Sequence, residues 1–218
     1  EDGTAWDPLD VAQKSQTADF IVNLSVDLDR KTVMLLGSQT MEPWWDAGTA
    51  AFPFEPVPNA LASMGVVGPW AVAQADDAFL WMGESQNGSR HVYEGVGMKP
   101  QEISTHAMEA TWSTYTTVAD VETTTLTHRG HTLTVWQFPS ADATWVYDRN
   151  EKHWFEWLSW SEADAAYHAH VTSTHVYAFN THYIGSRLDG TLYALDAAFI
   201  TDAGDPIRWL RRAPHLNA

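Results

Sequence analysis

The stretch ADATWVYDRNEKHWFEW, residues 141–157, is where the fold of this chain is decided. Trp145, Trp154 and Trp157 lie inside it and Trp160 just beyond, around the charged cluster Asp148-Arg149-Asn150-Glu151-Lys152. A sugar-cleaving cleft uses such residues, aromatics to stack a ring and acids to cut it. A hairpin uses them too, with Thr144 to Tyr147 as one strand, Asp148 to Lys152 as the turn and His153 to Leu158 as the return. Aromatic and β-branched residues suit the half-buried surface of both arms. On the hairpin reading Trp145 and Tyr147 share one face, opposite Val146, and Trp154 sits across the turn.

The rest of the chain favours the hairpin. Turn-bounded runs recur along it: DFIVNLSV (19–26), KTVMLLGS (31–38), WAVAQ (70–74), AFLWMG (78–83), RHVYEGV (90–96), TLTVWQF (132–138), THVYAFN (174–180) and TLYALD (191–196). Helical expectations are confined to Pro58–Met64 and to Ser161–His168, with Ser161 as N-cap. The apolar strands near Val33–Leu36, Phe79–Met82, Leu133–Trp136 and His175–Ala178 succeed one another at on the order of 40 to 55 residues, the span of one propeller blade. The expected fold is all-β, a β-propeller-like array of four-stranded antiparallel blades, with a β-sandwich as the alternative. The stretch 141–157 then belongs to the outer hairpin of the third repeat, its tryptophans packed between blades.

Composition sets limits on function. The 218 residues suffice for a full core without staples. There is no cysteine, which excludes disulfides and thiolate metal sites. Twenty-eight acids against twelve bases give a net charge of −16, a surface that repels a phosphate backbone. Salt adaptation, solubility and a wall past which a polyanion slides all fit that charge. No apolar run has the length of a membrane span.

Enzyme signatures are missing: there is no G-x-S-x-G, P-loop, G-x-G-x-x-G or H-E-x-x-H, and Gly95-Val96-Gly97 lacks a following helix. The acid pairs Asp76/Asp77 and Glu156/Glu162 carry little information in so acidic a chain. The histidine pairs His128/His131, His168/His170 and His175/His182 are read as structural, since no carboxylate stands at a recognisable metal-ligand spacing. No catalytic residue, metal or cofactor is expected.

Four blocks have specific wording: GSQTMEPWWDAG (37–48), the segment 52–83 beginning FPFEPVPN, VYEGVGMKPQEISTHAMEATW (92–112) and TWVYDRNEKHWFEW (144–157). In order and spacing they resemble the packaged-DNA stabilisation proteins, the tail-hub or head-completion proteins of short-tailed bacteriophages. The matching positions are Thr40, Glu42 and Trp44 with Trp45 and Gly48; Phe52-Pro53-Phe54 and Gly65; Trp81 and Gly83; Ile103, Ser104, Thr105, His106 and Glu109; and Trp145 and Trp154. PIRWLRRAPHL (206–216) is similar to the family's last strand. Members are usually longer and less acidic.

The resemblance implies a structural virion protein at the tail, close to the portal. It would be a homo-oligomer in a hexameric ring, bound to portal and adaptor proteins, tail needle and tailspikes. It would close the channel and stabilise packaged DNA, with at most transient contact with DNA and no membrane span. The expected organisation is a connecting segment over 1–17 and a propeller-like domain over 18–218, the C-terminal part of a longer protein. Within the loop 42–59, Trp44, Trp45, Phe52 and Phe54 are the expected interface residues, because prolines stiffen that loop and aromatics anchor interfaces. The competing function is a carbohydrate-binding or glycoside-cleaving propeller.

Overall fold

The computed structural model describes residues 14, 17–27, 31–49, 52–84, 88–96 and 99–208. Three four-stranded antiparallel meanders follow one another. The first contains β1 (Ile21–Asp27), β2 (Thr32–Gly37), β3 (Met41–Asp46) and β4 (Phe54–Pro56). The second contains β5 (Val72–Ala75), β6 (Ala78–Glu84), β7 (Arg90–Val96) and β8 (Lys99–Glu102). A helix, α1 (His106–Ser113), leads to the third: β9 (Glu122–His128), β10 (His131–Phe138), β11 (Ala143–Asp148) and β12 (His153–Glu156). The hairpin of β13 (Leu158–Ser161) and β14 (Ala166–Ala169) precedes a three-stranded sheet of β15 (Thr172–Ala178), β16 (Thr181–Ser186) and β17 (Leu192–Leu195). A short hairpin, β18 (Thr201–Asp202) with β19 (Asp205–Pro206), comes last.

The first strands of the four sheets begin at Ile21, Val72, Glu122 and Thr172, so the repeat is about fifty residues. Sheets succeed one another along the chain and do not close into a ring among the described residues. This is a propeller-like array. Two expected helices are absent: Ser161–His168 is the hairpin in which Trp160 pairs with Tyr167, and Pro58–Met64 holds a turn and the bridge from Ala62 to Met41. In both, cross-strand partners outweigh a weak local preference. The helix that does form, α1, went unanticipated because eight residues are too few to show a period. In the fourth sheet His175–Ala178 lies in the first strand, and the central strand is β16. The expected connecting segment 1–17, apart from Lys14 and Thr17, and most of the expected last strand lie outside the described residues.

Period-two alternation sends the two faces of the third sheet into two different cores. In the third sheet Trp136 pairs with Trp145, and Tyr147 pairs with both Thr134 and Trp154. Their common face meets Phe79, Trp81 and Tyr93 of the second sheet and Met108 and Trp112 of α1 in one cluster, which also takes Met34, Leu36 and Met41 of the first. The opposite face, Leu126, Val135 and Val146, packs with Trp157 and Leu195. Trp145 and Tyr147 therefore share a face opposite Val146, and the aromatic rings sit between blades.

The charged turn has a role of its own. The Asp148 carboxylate accepts the backbone N–H groups of Asn150 and Glu151, which closes the turn. Arg149 then reaches back to the second sheet, 2.8 Å from Glu94 and 2.8 Å from Asp77. Thr132 donates to Asp76 at 2.9 Å beside it. Trp145, Tyr147 and Trp154 thus fill the seam between the second and third sheets, and the charged turn clasps its rim.

Two glycines of the family pattern mark close chain crossings. A Cβ at Gly65 would collide with the backbone of Ser38 and Gln39, and one at Gly83 with the carbonyl oxygen of Gly65. Three segments meet there with no room for a side chain. Gly65→Ala is expected to destabilise the chain by roughly 1–3 kcal/mol, the usual range for overpacking. A urea midpoint equal to that of the wild type would refute the crossing.

Candidate assembly surface

The first sheet has one covered face and one open one. Met34, Leu36 and Met41 enter the core. On the other face register places Leu24 beside Leu35, Val26 beside Val33, and Val33 beside Trp44. Among the described residues no sheet lies opposite them, and Leu24 is 60% exposed. Ile21, Leu24, Val33, Leu35, Trp44, Phe52 and Phe54, with the stem of Lys14, line a cavity of about 240 Å³ on this face. The loop after β3 folds back over it. Phe52 meets Trp44 edge-on at 6.3 Å and Phe54 at 6.1 Å, and the Ala47 N–H donates to the Pro53 carbonyl.

The four aromatics expected to form the interface do not all gather. Trp44, Phe52 and Phe54 share the cavity, and Trp44 is only 6% exposed. Trp45 pairs with Thr32 on the opposite sheet face and is 44% exposed at its margin. The Thr40, Glu42, Trp44 series has a physical basis: Glu42 is completely buried and accepts from Thr17 Oγ1 and Trp44 Nε1. Gly48 has φ 64°, which favours glycine where the loop leaves β3.

The histidines do not all keep their sequence pairing: His128 parts from His131 and meets His182 edge-on at 5.2 Å. His131 Nδ1 lies 2.6 Å from Asp148. His168 bridges Asp142 and Asp164, whose carboxylates raise its pKa. His170 stacks on Trp157 at 4.0 Å and shares a hydrogen bond with the Thr172 hydroxyl; burial lowers its pKa to about 4 despite nearby Asp202. His175 and His182 share a hydrogen bond at 2.9 Å. Asp76 and Asp77 are taken up by Arg149. A second cavity, about 360 Å³, is lined by Trp157, His170, Asp196 and Asp202 among others. Asp196 accepts the Ala198 N–H, and Asp202 faces Ser159 and His170.

One cluster escaped the sequence reading. His91, Glu102 and Glu109 bring three possible metal donors together. Glu109 lies in the Ile103–Glu109 block, but the cluster also needs the register of β7 with β8, which pairs Tyr93 with Glu102. No fixed spacing in the sequence encodes that register, so nothing local ties the Ile103–Glu109 block to His91.

A family model described as bacteriophage P22 Gp10, beta-propeller, matches residues 1–200. No curated protein matches the chain. Among solved structures, the chain is similar to a GH43 glycoside hydrolase engineered to display both endo-xylanase and exo-arabinofuranosidase activity. The identity is 11% and the TM-score 0.39, over 92% of this chain and 44% of that one. The chain thus spans less than half the length of that structure.

Proposed function

The chain belongs to the bacteriophage family of β-propeller proteins that stabilise packaged DNA, and from that premise we propose that it acts as a subunit of the tail hub. Its open sheet face docks on a neighbouring copy in a ring, a hexamer on this reading, beneath the portal and adaptor proteins. The ring closes the channel behind the packaged genome and carries the tail needle and tailspikes. Its work is done through protein–protein contacts and not through catalysis.

The apolar face of the first sheet carries this reading, with Leu24 exposed, Val33 and Leu35 half-buried, and Trp44 buried under the loop. Such a face, stiffened by a proline-containing loop, matches the desolvated centre of an interface between subunits. The net charge of −16 fits the same role, since an acidic wall does not hold DNA that must leave through it.

Leu24→Asp places a charge on the open face of an edge strand. It is expected to shift the melting temperature by no more than about 2 °C, as for an ordinary surface substitution. Incorporation into particles should fall roughly thirty-fold or more, the effect of losing an interface anchor. Trp45→Ala tests the sheet margin in the same assay, with the same stable monomer and loss of incorporation expected. Normal particles from Leu24→Asp would remove the open face from the assembly, and normal particles from both variants would remove this surface altogether.

A further inference from the structure

His91, Glu102 and Glu109 come from three elements and converge on one point, with the exposed His106 beside Glu109. His91 stands early in β7, Glu102 ends β8, and His106 and Glu109 lie at the start of α1. Because Tyr93 pairs with Glu102, His91 and Glu102 are diagonal neighbours on one sheet face. One donor atom from each of His91, Glu102 and Glu109 lies within 4.8 Å of the others.

The detailed geometry points to a ligand. His91 Nδ1 is 3.1 Å from Glu109 Oε1 and 3.4 Å from Glu102 Oε2. That nitrogen is enclosed, yet it makes no well-directed hydrogen bond. It faces the gap between the carboxylates. Donors bound to one ion at about 2.0–2.1 Å, at octahedral to tetrahedral angles, stand roughly 2.8–3.4 Å apart. Both observed separations lie in that range. The exposed His106 has its Nδ1 3.5 Å from the other Glu109 oxygen.

The surroundings support the carboxylate as a ligand would need. Ser104 Oγ donates to Glu109 Oε1 at 2.8 Å and accepts the Val92 N–H, fixing the carboxylate's direction. Two adjacent carboxylates and one imidazole leave net negative charge to be compensated.

We propose that His91, Glu102 and Glu109 bind a divalent transition-metal ion of the zinc class, with His106 as a fourth donor, pinning α1 to the β7–β8 hairpin. An imidazole beside carboxylates selects such an ion over calcium or magnesium, which prefer oxygen alone. The block Ile103–Glu109 is then accounted for. The Ile103 carbonyl accepts Trp154 Nε1 at 2.8 Å, Ser104 directs Glu109, Thr105 precedes the helix, and His106 and Glu109 face the ion.

The test uses the full chain, stripped with chelator and titrated with Zn²⁺ by calorimetry and thermal melting. One equivalent should saturate in the wild type. At a hundred-fold excess over Kd the melting temperature should rise roughly 5–10 °C. Glu109→Gln and Glu102→Gln should each lose that equivalent while keeping the wild-type circular dichroism without metal. Ser104→Ala should weaken binding by about 10–100-fold. Unchanged stoichiometry in both glutamine variants would overturn the proposal. So would a wild-type melting temperature indifferent to Zn²⁺, or loss of the equivalent in His182→Ala instead, which would assign the ion to the His175/His182 pair.

Discussion

Trp112→Ala is expected to lower the melting temperature by roughly 6–20 °C, from a loss of about 3–5 kcal/mol spread over a chain of this size. Trp112 is completely buried on α1, in the seam between the second and third sheets. Its ring lies 6.0 Å from Phe138, 6.2 Å from Trp145 and 5.9 Å from Trp154, the last two contacts edge-on. Truncation leaves a cavity walled by rigid rings on strands that cannot collapse into it. The indole Nε1 is buried without a hydrogen-bond partner, so Trp112→Phe removes an unsatisfied donor along with some volume. That variant should cost clearly less than alanine. Scanning fluorimetry beside urea denaturation checks both, and an alanine variant melting within about 2 °C of the wild type would show that α1 does not brace the seam.

Asp19→Asn is expected to cost roughly 3–5 kcal/mol at neutral pH, as when a buried pair loses one partner. The Asp19 carboxylate stands ahead of β1 and holds the turn between β2 and β3. It accepts the N–H groups of Ser38, Gln39 and Thr40 at 3.1, 3.0 and 2.9 Å, and both hydroxyls of Ser38 and Thr40. Lys14 Nζ lies 3.0 Å away, itself buried. Burial opposes the carboxylate's charge, but the Gln39 N–H, Ser38, Lys14 and Thr40 together depress its pKa far below the ordinary value. A folded pKa below the unfolded one stabilises the fold above the unfolded value, about 3.9, and that contribution fades as pH falls towards the folded pKa. The gap between wild type and Asp19→Asn in urea midpoint should therefore be widest at pH 5–7 and narrow towards pH 2. A gap independent of pH would mean that the amide replaces the carboxylate in shape only.

How much the sequence reveals depends on the range of the interaction. The hairpin was legible because alternation and a polar turn are local: β11 and β12 fall where Trp145, Tyr147 and Trp154 placed them, though the return strand ends at Glu156 and Leu158 begins β13. The repeat was legible for the same reason, since every meander is built from neighbouring strands. What failed was decided by partners distant in the chain. Ser161–His168 has helix-forming alanines, but Trp160 and Tyr167 meet across a hairpin at 4.9 Å and Arg208 lies over the Trp160 ring. The loop aromatics were legible as a group but not by side: the strand's alternation sends Trp44 to the open face and Trp45 to the other. The clasp of Arg149 on Glu94 and Asp77 joins residues of two different repeats, and no local pattern announces it.

The meander topology bears on how the polypeptide is made. Each of the first three sheets is complete within a run of consecutive residues and needs no later strand for its hydrogen-bond ladder. A ribosome adding about 5–20 residues per second would release one such unit every 3–10 s or so, far slower than the roughly 1–10 μs in which a hairpin forms. The second sheet can lay Phe79 and Trp81 against Met34 and Leu36 before the third has emerged. Strand order along the message thus becomes a schedule, in which each unit emerges beside a finished template and the wrong sheet is not yet there to compete. Force-sensing arrest sequences placed behind residues 60, 105 and 157 should report three separate pulls on the nascent chain; a single pull at the last position would mean that the sheets wait for one another.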